Sequence, residues 1–323
     1  MTREAGGRRA IGLDIGGTKV AGAIVADDGT VTAECRRDTP ETSDSATMTS
    51  LLLEMVDDLR GRDDGVEAIG VGAAGTVEWP AGRIRWAPNN SYRDWNVRAE
   101  LEKATGLPAV IDNDANVAGL AEARLGEERY DQMILVTVGT GIGTGIVLDG
   151  RIYRGPNGLG AEAGHMNVNP DGPQCGCGNY GCLEALASGT ALTRMGRSAA
   201  AGDPDGMIAS LARESGAEVT GQIVTMAAMA GDSTAASLFA RLGRALGIGI
   251  ASLNAIFELE AMVIGGGLVD AGDLLLEPTR RAAREFAYAP TARPIPPILP
   301  ATYGGDAGKI GAALLALEDA GTL

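Results

Sequence analysis

AIGLDIGGTKVAGAIVADDG, residues Ala10–Gly29, holds two short apolar runs, Ala10–Ile15 and Val20–Val25, on either side of a glycine turn. Both runs are apolar and too short for helices, so each reads as a β-strand. Asp27-Asp28-Gly29 then turns the chain into a third strand, because Asp-Gly between apolar runs is a hairpin signal. The segment Gly12–Lys19 nearly fits a phosphate-binding P-loop, but Gly-Thr-Lys stands where Gly-Lys-Thr is needed and a strand follows where a helix should. The P-loop is therefore rejected and the glycine turn kept.

The same pattern returns in Met133–Gly150, MILVTVGTGIGTGIVLDG. Ile11, Gly16 and Gly22 fall on Ile134, Gly139 and Gly145 at a constant offset of 123 positions, and apolar Leu13, Ile15, Ala23, Ile24 and Val25 fall on Val136, Val138, Ile146, Val147 and Leu148. Strand, glycine turn, strand and Asp-Gly in both places indicate an internal duplication, with chance agreement as the alternative for so short a match. The second glycine run alone is a weak signature, lacking the G-x-G-x-x-G spacing and the helix of a dinucleotide site. As a pair, the two turns could close on one polyphosphate from opposite sides, presenting backbone N–H groups with no side chain in the way.

Between the copies, Met48–Leu59 has the spacing of a helix with one buried face, Val66–Ala73 reads as a buried strand ending at Gly75, and a loop follows with Pro88-Asn89-Asn90 and Trp95. A helix near Val97–Thr105 and the strand Ala109–Ile111 lead into Asp112-Asn113-Asp114-Ala115-Asn116, after which Val117–Leu125 looks helical. Side chains at the C-terminal end of such a strand project where ligands bind in an open α/β sheet. Asp114 is the candidate functional group of this run; the competing role is helix N-cap, which Asp112 and Asn113 could fill equally.

The chain's one histidine and three of its four cysteines, His165, Cys175, Cys177 and Cys182, form H-x9-C-x-C-x4-C with glycines between them. Four soft or borderline ligands with no spare position describe a structural zinc site, the alternative being a buried thiol or half of a disulfide. Glu162 and Glu184 flank this set, so a metal tying the segments together would carry both carboxylates toward one place. Beyond it, helices are expected at Leu183–Ala201, Met207–Glu214, Val224–Ala230 and Ser233–Phe257. Ala261–Ile264 is a buried strand ending in Gly265-Gly266-Gly267, three glycines that would admit a flat ring such as adenine or simply make a tight turn. A helix near Gly272–Phe286, a constrained edge strand in Ala289–Pro300 and a last helix at Ala307–Leu317 complete the chain.

A formal net charge of −15 argues against nucleic acid as a partner. No stretch approaches eighteen apolar residues and MTREAGGRRAIGLDIGG has no signal-peptide run, so no membrane partner and a cytoplasmic location are expected. In that compartment clustered cysteines hold metal more readily than disulfides. At 323 residues there is room for two domains, and the duplication puts the boundary near Asp112.

DIGGTK (Asp14–Lys19), DNDAN (Asp112–Asn116), GTGIGTG (Gly139–Gly145), EAGH (Glu162–His165), CGCGNYGCLE (Cys175–Glu184) and the triple glycine together resemble the ROK family, most closely its bacterial glucokinases. The resemblance implies an actin-like, hexokinase-like (ribonuclease H-like) duplicated α/β fold. Residues 1–112 would form a small domain onto which helix 307–323 packs back, and residues 113–306 a larger one with the zinc motif. It implies Asp114 as general base, with Gly75, Asn89, Asn113, Glu162, His165 and Glu184 near sugar hydroxyls; Asn90 is an alternative to Asn89. Asp14, Gly16, Gly17, Thr18, Lys19, Gly139, Thr140, Gly141, Gly265, Gly266 and Gly267 would hold Mg-ATP. The implied reaction is phosphorylation of glucose at its 6-hydroxyl by a homodimer or homotetramer. Mannose, N-acetylmannosamine, allose or fructose as substrate, polyphosphate as donor, and a non-catalytic sugar-sensing regulator are the alternatives. Ala161 stands where the family often has a glycine-like turn. About nine residues precede the first strand, fewer than the DNA-binding module of the family's repressors needs.

Overall fold

A computed structural model describes residues 7–87 and 90–321 of the chain. In order, the elements are β1 (Arg9–Ile15), β2 (Lys19–Ala26), β3 (Val31–Asp38), α1 (Ser45–Arg60), β4 (Ala68–Ala73), β5 (Thr76–Glu78), β6 (Arg83–Trp86), β7 (Arg93–Trp95), α2 (Val97–Thr105), β8 (Ala109–Asn113) and α3 (Asp114–Leu125). β9 (Met133–Val138), β10 (Ile142–Leu148), β11 (Arg151–Ile152), α4 (Leu183–Ala187), α5 (Gly189–Gly202), α6 (Met207–Ser215), α7 (Gly221–Met229) and α8 (Ser233–Phe257) follow. β12 (Ala261–Gly265), α9 (Asp273–Glu285), β13 (Ile298–Pro300) and α10 (Ala307–Ala320) end the chain.

Two five-stranded sheets share one plan. Their orders are β3-β2-β1-β4-β8 and β11-β10-β9-β12-β13, so each has the glycine-turn hairpin in the middle, a further strand on one side and two more on the other. β1 runs antiparallel to β2 and parallel to β4, and β4 runs parallel to β8; β12 and β13 are likewise parallel. The repeat seen in the sequence is thus a repeat of sheet topology.

The chain divides into two compact units. Unit 1 takes Met1–Leu135, Gly145–Ala161 and Thr302–Leu323; unit 2 takes Val136–Thr144 and Glu162–Ala301. The boundary expected near Asp112 is therefore not a single position. α3, which follows it, packs on α10, and α10 also lies against β1, β2 and β4, which keeps residues beyond Asp112 with the first sheet.

In unit 1, β1 and β4 are buried along nearly their whole length because helices cover them, whereas β3 alternates half-buried and exposed residues as a half-solvated edge strand does. Leu13, Ile15 and Ile24 of the sheet share a core with Met48, Leu52, Met55 and Leu59 of α1. Gly12 and Gly70 are register partners across β1 and β4. A Cβ on either would strike a backbone carbonyl of α10, that of Lys309 or of Ala312, so the two glycines are what let the helix backbone lie on the sheet.

Unit 2 is dominated by α8, which packs along α9 and buries Leu238, Phe239, Leu242, Leu246 and Ile250. By length and composition α8 could cross a membrane, but 56% of its apolar window is buried inside the protein, as in a core helix. Three local expectations need correction. The helix placed at Leu183–Ala201 is two, because Ser188 is extended (φ −89°, ψ 170°) and its hydroxyl caps α5 through Ala191 N. The loop around Trp95 contains the sheet β5-β6-β7, held by cross-strand pairs too short to show periodicity. Of the proline-rich run only Ile298–Pro300 is strand, at the sheet edge as expected, since prolines without N–H donors cannot extend the ladder.

Candidate active site

β1, β4 and β8 end side by side in unit 1, and their register sets Asp14 opposite Gly72 and Gly72 opposite Asp112. Gly72 has no side chain to fill the space between: a Cβ there would lie 3.8 Å from Asp14 Oδ1 and 3.7 Å from Asp114 Cα, and 2.7 Å from Val117 Cγ2. Two carboxylates thus flank one glycine. Burial pushes the Asp14 carboxyl up to about 7, with the neighbouring Asp114 charge adding to the shift and Lys19 and Lys309 opposing it. Asp114 is also raised, by burial, against hydrogen bonding from Ala115 N–H that favours its charged form.

The three polar residues at the end of β8 take separate positions. Asp112 is buried; Oδ1 accepts from Asn113 N (2.7 Å) and Asn116 Nδ2 (2.9 Å), and Oδ2 pairs with Arg154 Nε. Asn113 is the N-cap of α3, its Oδ1 accepting from Ala115 N (2.9 Å) and Asn116 N (3.2 Å) while Nδ2 donates to Gly75 O (3.2 Å). Asp114 makes no ion pair among the described residues; its Oδ1 accepts from Ala115 N at 2.9 Å. The capping role that competed for Asp114 is filled by Asn113.

Gly75 adopts φ +110°, and a Cβ on it would overlap Trp86 and Ala87, so only glycine fits beside Asn113. Asn89 lies outside the described residues. Asn90 is buried, donates from Nδ2 to Tyr92 Oη (2.9 Å), and its Oδ1 has no partner among the described residues. The first glycine turn is closed by Gly16 N–H donating to Lys19 O (2.9 Å), with Gly17, Thr18 and Lys19 exposed on it. Thr39 braces it, donating from its N–H to Thr18 O and from Oγ1 to Gly16 O.

In unit 2 the ligand atoms of His165, Cys175, Cys177 and Cys182 all lie within 4.8 Å of one another. Cys177 and Cys182 sulfurs are 3.7 Å apart, and Cys175 Sγ is 3.6 Å from His165 Nδ1. Zinc bonds of about 2.3 Å to sulfur and about 2.0 Å to nitrogen give tetrahedral edges of about 3.8 and 3.6 Å, so the four residues fit the ion. The knuckle is a hairpin turn: Cys175 N–H donates to Asn179 O, Gly178 N–H to Cys175 O, and Gly178 and Gly181 take left-handed φ of +94° and +65°. Leu183 N–H donates to Met166 O, lacing the histidine turn to the start of α4.

α4 then carries Glu184 back toward the second glycine turn. Its Oε2 accepts from Ile142 N (3.0 Å) and its Oε1 lies 3.5 Å from Cys175 Sγ. Gly141 stands against that carboxylate, and a Cβ there would displace it. Gly139 N–H donates to Gly141 O, and the carbonyls of Gly139 and Thr140 accept from Gly189 and Thr190 at the start of α5. Glu162 is exposed, one residue after Ala161, which takes a left-handed φ of +67°, the conformation a glycine there would adopt freely. Of the triple glycine, Gly266 (φ +81°) has a packing reason: a Cβ would meet the Val138 backbone at 2.6 Å. Gly267 has no described atom within 4 Å of its Cβ position.

Sequence reading singled out neither Arg154 nor Lys309. Lys309 is buried in α10 with Nζ 2.6 Å from Glu34 and 2.7 Å from Asp306. Each pairs with a group far along the chain and has no motif around it; a lone lysine in the apolar repeat of the last helix was the one available signal.

A glucokinase of Streptomyces coelicolor is 36% identical over 311 residues, covering 95% of this chain and 97% of that protein. An N-acetylmannosamine kinase of Escherichia coli O7:K1 is 32% identical over 313 residues, covering 96% and 98%. Among solved structures, a ROK family glucokinase from Streptomyces griseus in complex with glucose and AMPPNP is similar with a TM-score of 0.83 and 37% identity, covering 96% of this chain and 99% of that one. The duplicated actin-like, hexokinase-like α/β fold is shared with it. With the ROK family profile matching residues 10–319, nearly end to end, the chain belongs to the ROK family.

Proposed function

We propose that the chain is a glucokinase that transfers the γ-phosphoryl group of ATP to the 6-hydroxyl of glucose. The observation that carries the mechanism is the division of labour at the end of β8: Asn113 caps α3, Asp112 is held by Arg154, and Asp114 remains, with its carboxyl raised by burial. A raised carboxylate is a better proton acceptor near neutral pH. Full-length likeness to glucokinases supports glucose as the acceptor.

In this reading Asp114 takes the proton of the attacking hydroxyl as the new oxygen–phosphorus bond forms and the bond to the ADP oxygen breaks. Gly75, Asn89, Asn113, Glu162, His165 and Glu184 orient the sugar. Asp14, Gly16–Lys19, Gly139–Gly141 and Gly265–Gly267 hold the nucleotide. Magnesium bound with ATP would neutralise phosphate charge, and zinc on His165, Cys175, Cys177 and Cys182 would fix the turn that leads to Glu184. His165 Nδ1 faces the cysteine cluster, which leaves its other ring nitrogen for a sugar hydroxyl.

Coupled ADP release tests the reading. Wild-type protein with Mg-ATP should turn over with glucose and much more slowly with N-acetylmannosamine, and Asp114→Asn should lower kcat by at least about 100-fold while retaining its zinc. Faster turnover of N-acetylmannosamine would reassign the acceptor, and a folded Asp114→Asn variant with near-normal kcat would reject Asp114 as base.

A further inference from the structure

We infer that Arg154 is a positioning residue for Asp114, acting through Asp112; the inference rests on the reading of Asp114 as base. The Arg154 and Asp112 side chains are only 11% and 4% exposed, and they form an ion pair between positions 42 residues apart. Arg154 is itself fixed on two other sides. Its guanidinium carbon lies 3.8 Å from the centre of the Trp79 ring, and Nη1 donates to Ile152 O at 3.2 Å.

What this clamp holds is the first turn of α3. Asp112 gives one oxygen to Arg154 and the other to both Asn113 N and Asn116 Nδ2, residues on either side of Asp114 in the chain. Asp114 is therefore suspended between two anchors of one carboxylate. A planar guanidinium stacked on an indole and bonded to a carboxylate has little orientational freedom, so the plane of Asp112 is set, and with it the direction in which the helix leaves the strand. A general base must reach the hydroxyl proton to within hydrogen-bond distance, and a shift of about 1 Å can cost on the order of 100-fold in rate.

Lysine at position 154 tests this, because it keeps the buried charge beside Asp112 but has neither the planar fork nor the stacking face. Arg154→Lys should lower kcat with glucose on the order of 10-fold while the KM for ATP stays within about twofold and the thermal midpoint stays near wild type. Arg154→Met, which strands the carboxylate, should lose both stability and kcat; adding Asp112→Asn should restore stability but not kcat. Recovery of kcat together with stability in that double variant would make the pair merely structural and overturn the inference, as would wild-type kcat in Arg154→Lys. A crystal structure of Arg154→Lys reads the same point without turnover. The Asp114 carboxylate should be displaced relative to Asp14, and an unmoved carboxylate would overturn positioning even if the wild type proved inactive on glucose.

Discussion

Asp14 shows how one residue can be held in an unfavourable state by its surroundings. Its carboxyl rises from 3.8 to about 7, burial first and the Asp114 charge second. A carboxyl whose folded pKa lies above its unfolded one contributes stability that is full below the unfolded value and is lost as pH rises through the folded value. Without nucleotide or metal, Asp14→Asn should therefore melt at a higher temperature than wild type at pH 8, and the difference should shrink steadily toward pH 4. Calorimetry across that range decides it; a difference independent of pH would sink the assignment. The charge that destabilises the empty protein is the charge a divalent cation would use, which is why such sites trade stability for function.

At the scale of elements, α10 lies against the first sheet where Gly12 and Gly70 leave room for its backbone. Gly70→Ala would drive a Cβ into the Ala312 carbonyl, and because the obstacle is backbone the whole helix must lift. The expected loss is about 1–3 kcal/mol in urea unfolding. Gly202→Ala is the control: no described atom lies within 4 Å of its Cβ position, and its stability should change by well under 1 kcal/mol. The long elements were legible beforehand, with Val97–Thr105, Met133–Val138 and Ser233–Phe257 read at their observed bounds, because each has a clear period or a clean apolar run. The failures share a cause. β5, β6 and β7 have three or four residues each, too few to display alternation, and the break at Ser188 comes from one capping hydroxyl inside an otherwise helical pattern.

Across the whole molecule the two repeated sheets carry very different insertions between their strands, a small three-stranded sheet in one unit and the His/Cys cluster with α4–α8 in the other. All three tryptophans, Trp79, Trp86 and Trp95, fall in unit 1, whereas most helix is in unit 2. Stripping the metal with a strong chelator should release about one zinc per chain and lower the midpoint seen by far-UV circular dichroism by on the order of 10 °C. The midpoint seen by tryptophan fluorescence should move less; equal shifts would argue that the metal does not brace unit 2 specifically.

By itself the sequence determined the duplication, the strand and helix types, the four-ligand cluster and the short list of acidic candidates. Each is carried by neighbours in the chain: periodicity, glycine turns, cysteine spacing. Tertiary structure alone decided which polar residue of DNDAN is cap, which is clamped by an arginine and which makes no ion pair among the described residues, because that depended on Arg154 and Gly75 arriving from distant segments. It also decided that residues beyond Asp112 stay with the first sheet. The surface that holds them there is the α10 backbone, brought from more than two hundred residues along the chain to lie on Gly12 and Gly70.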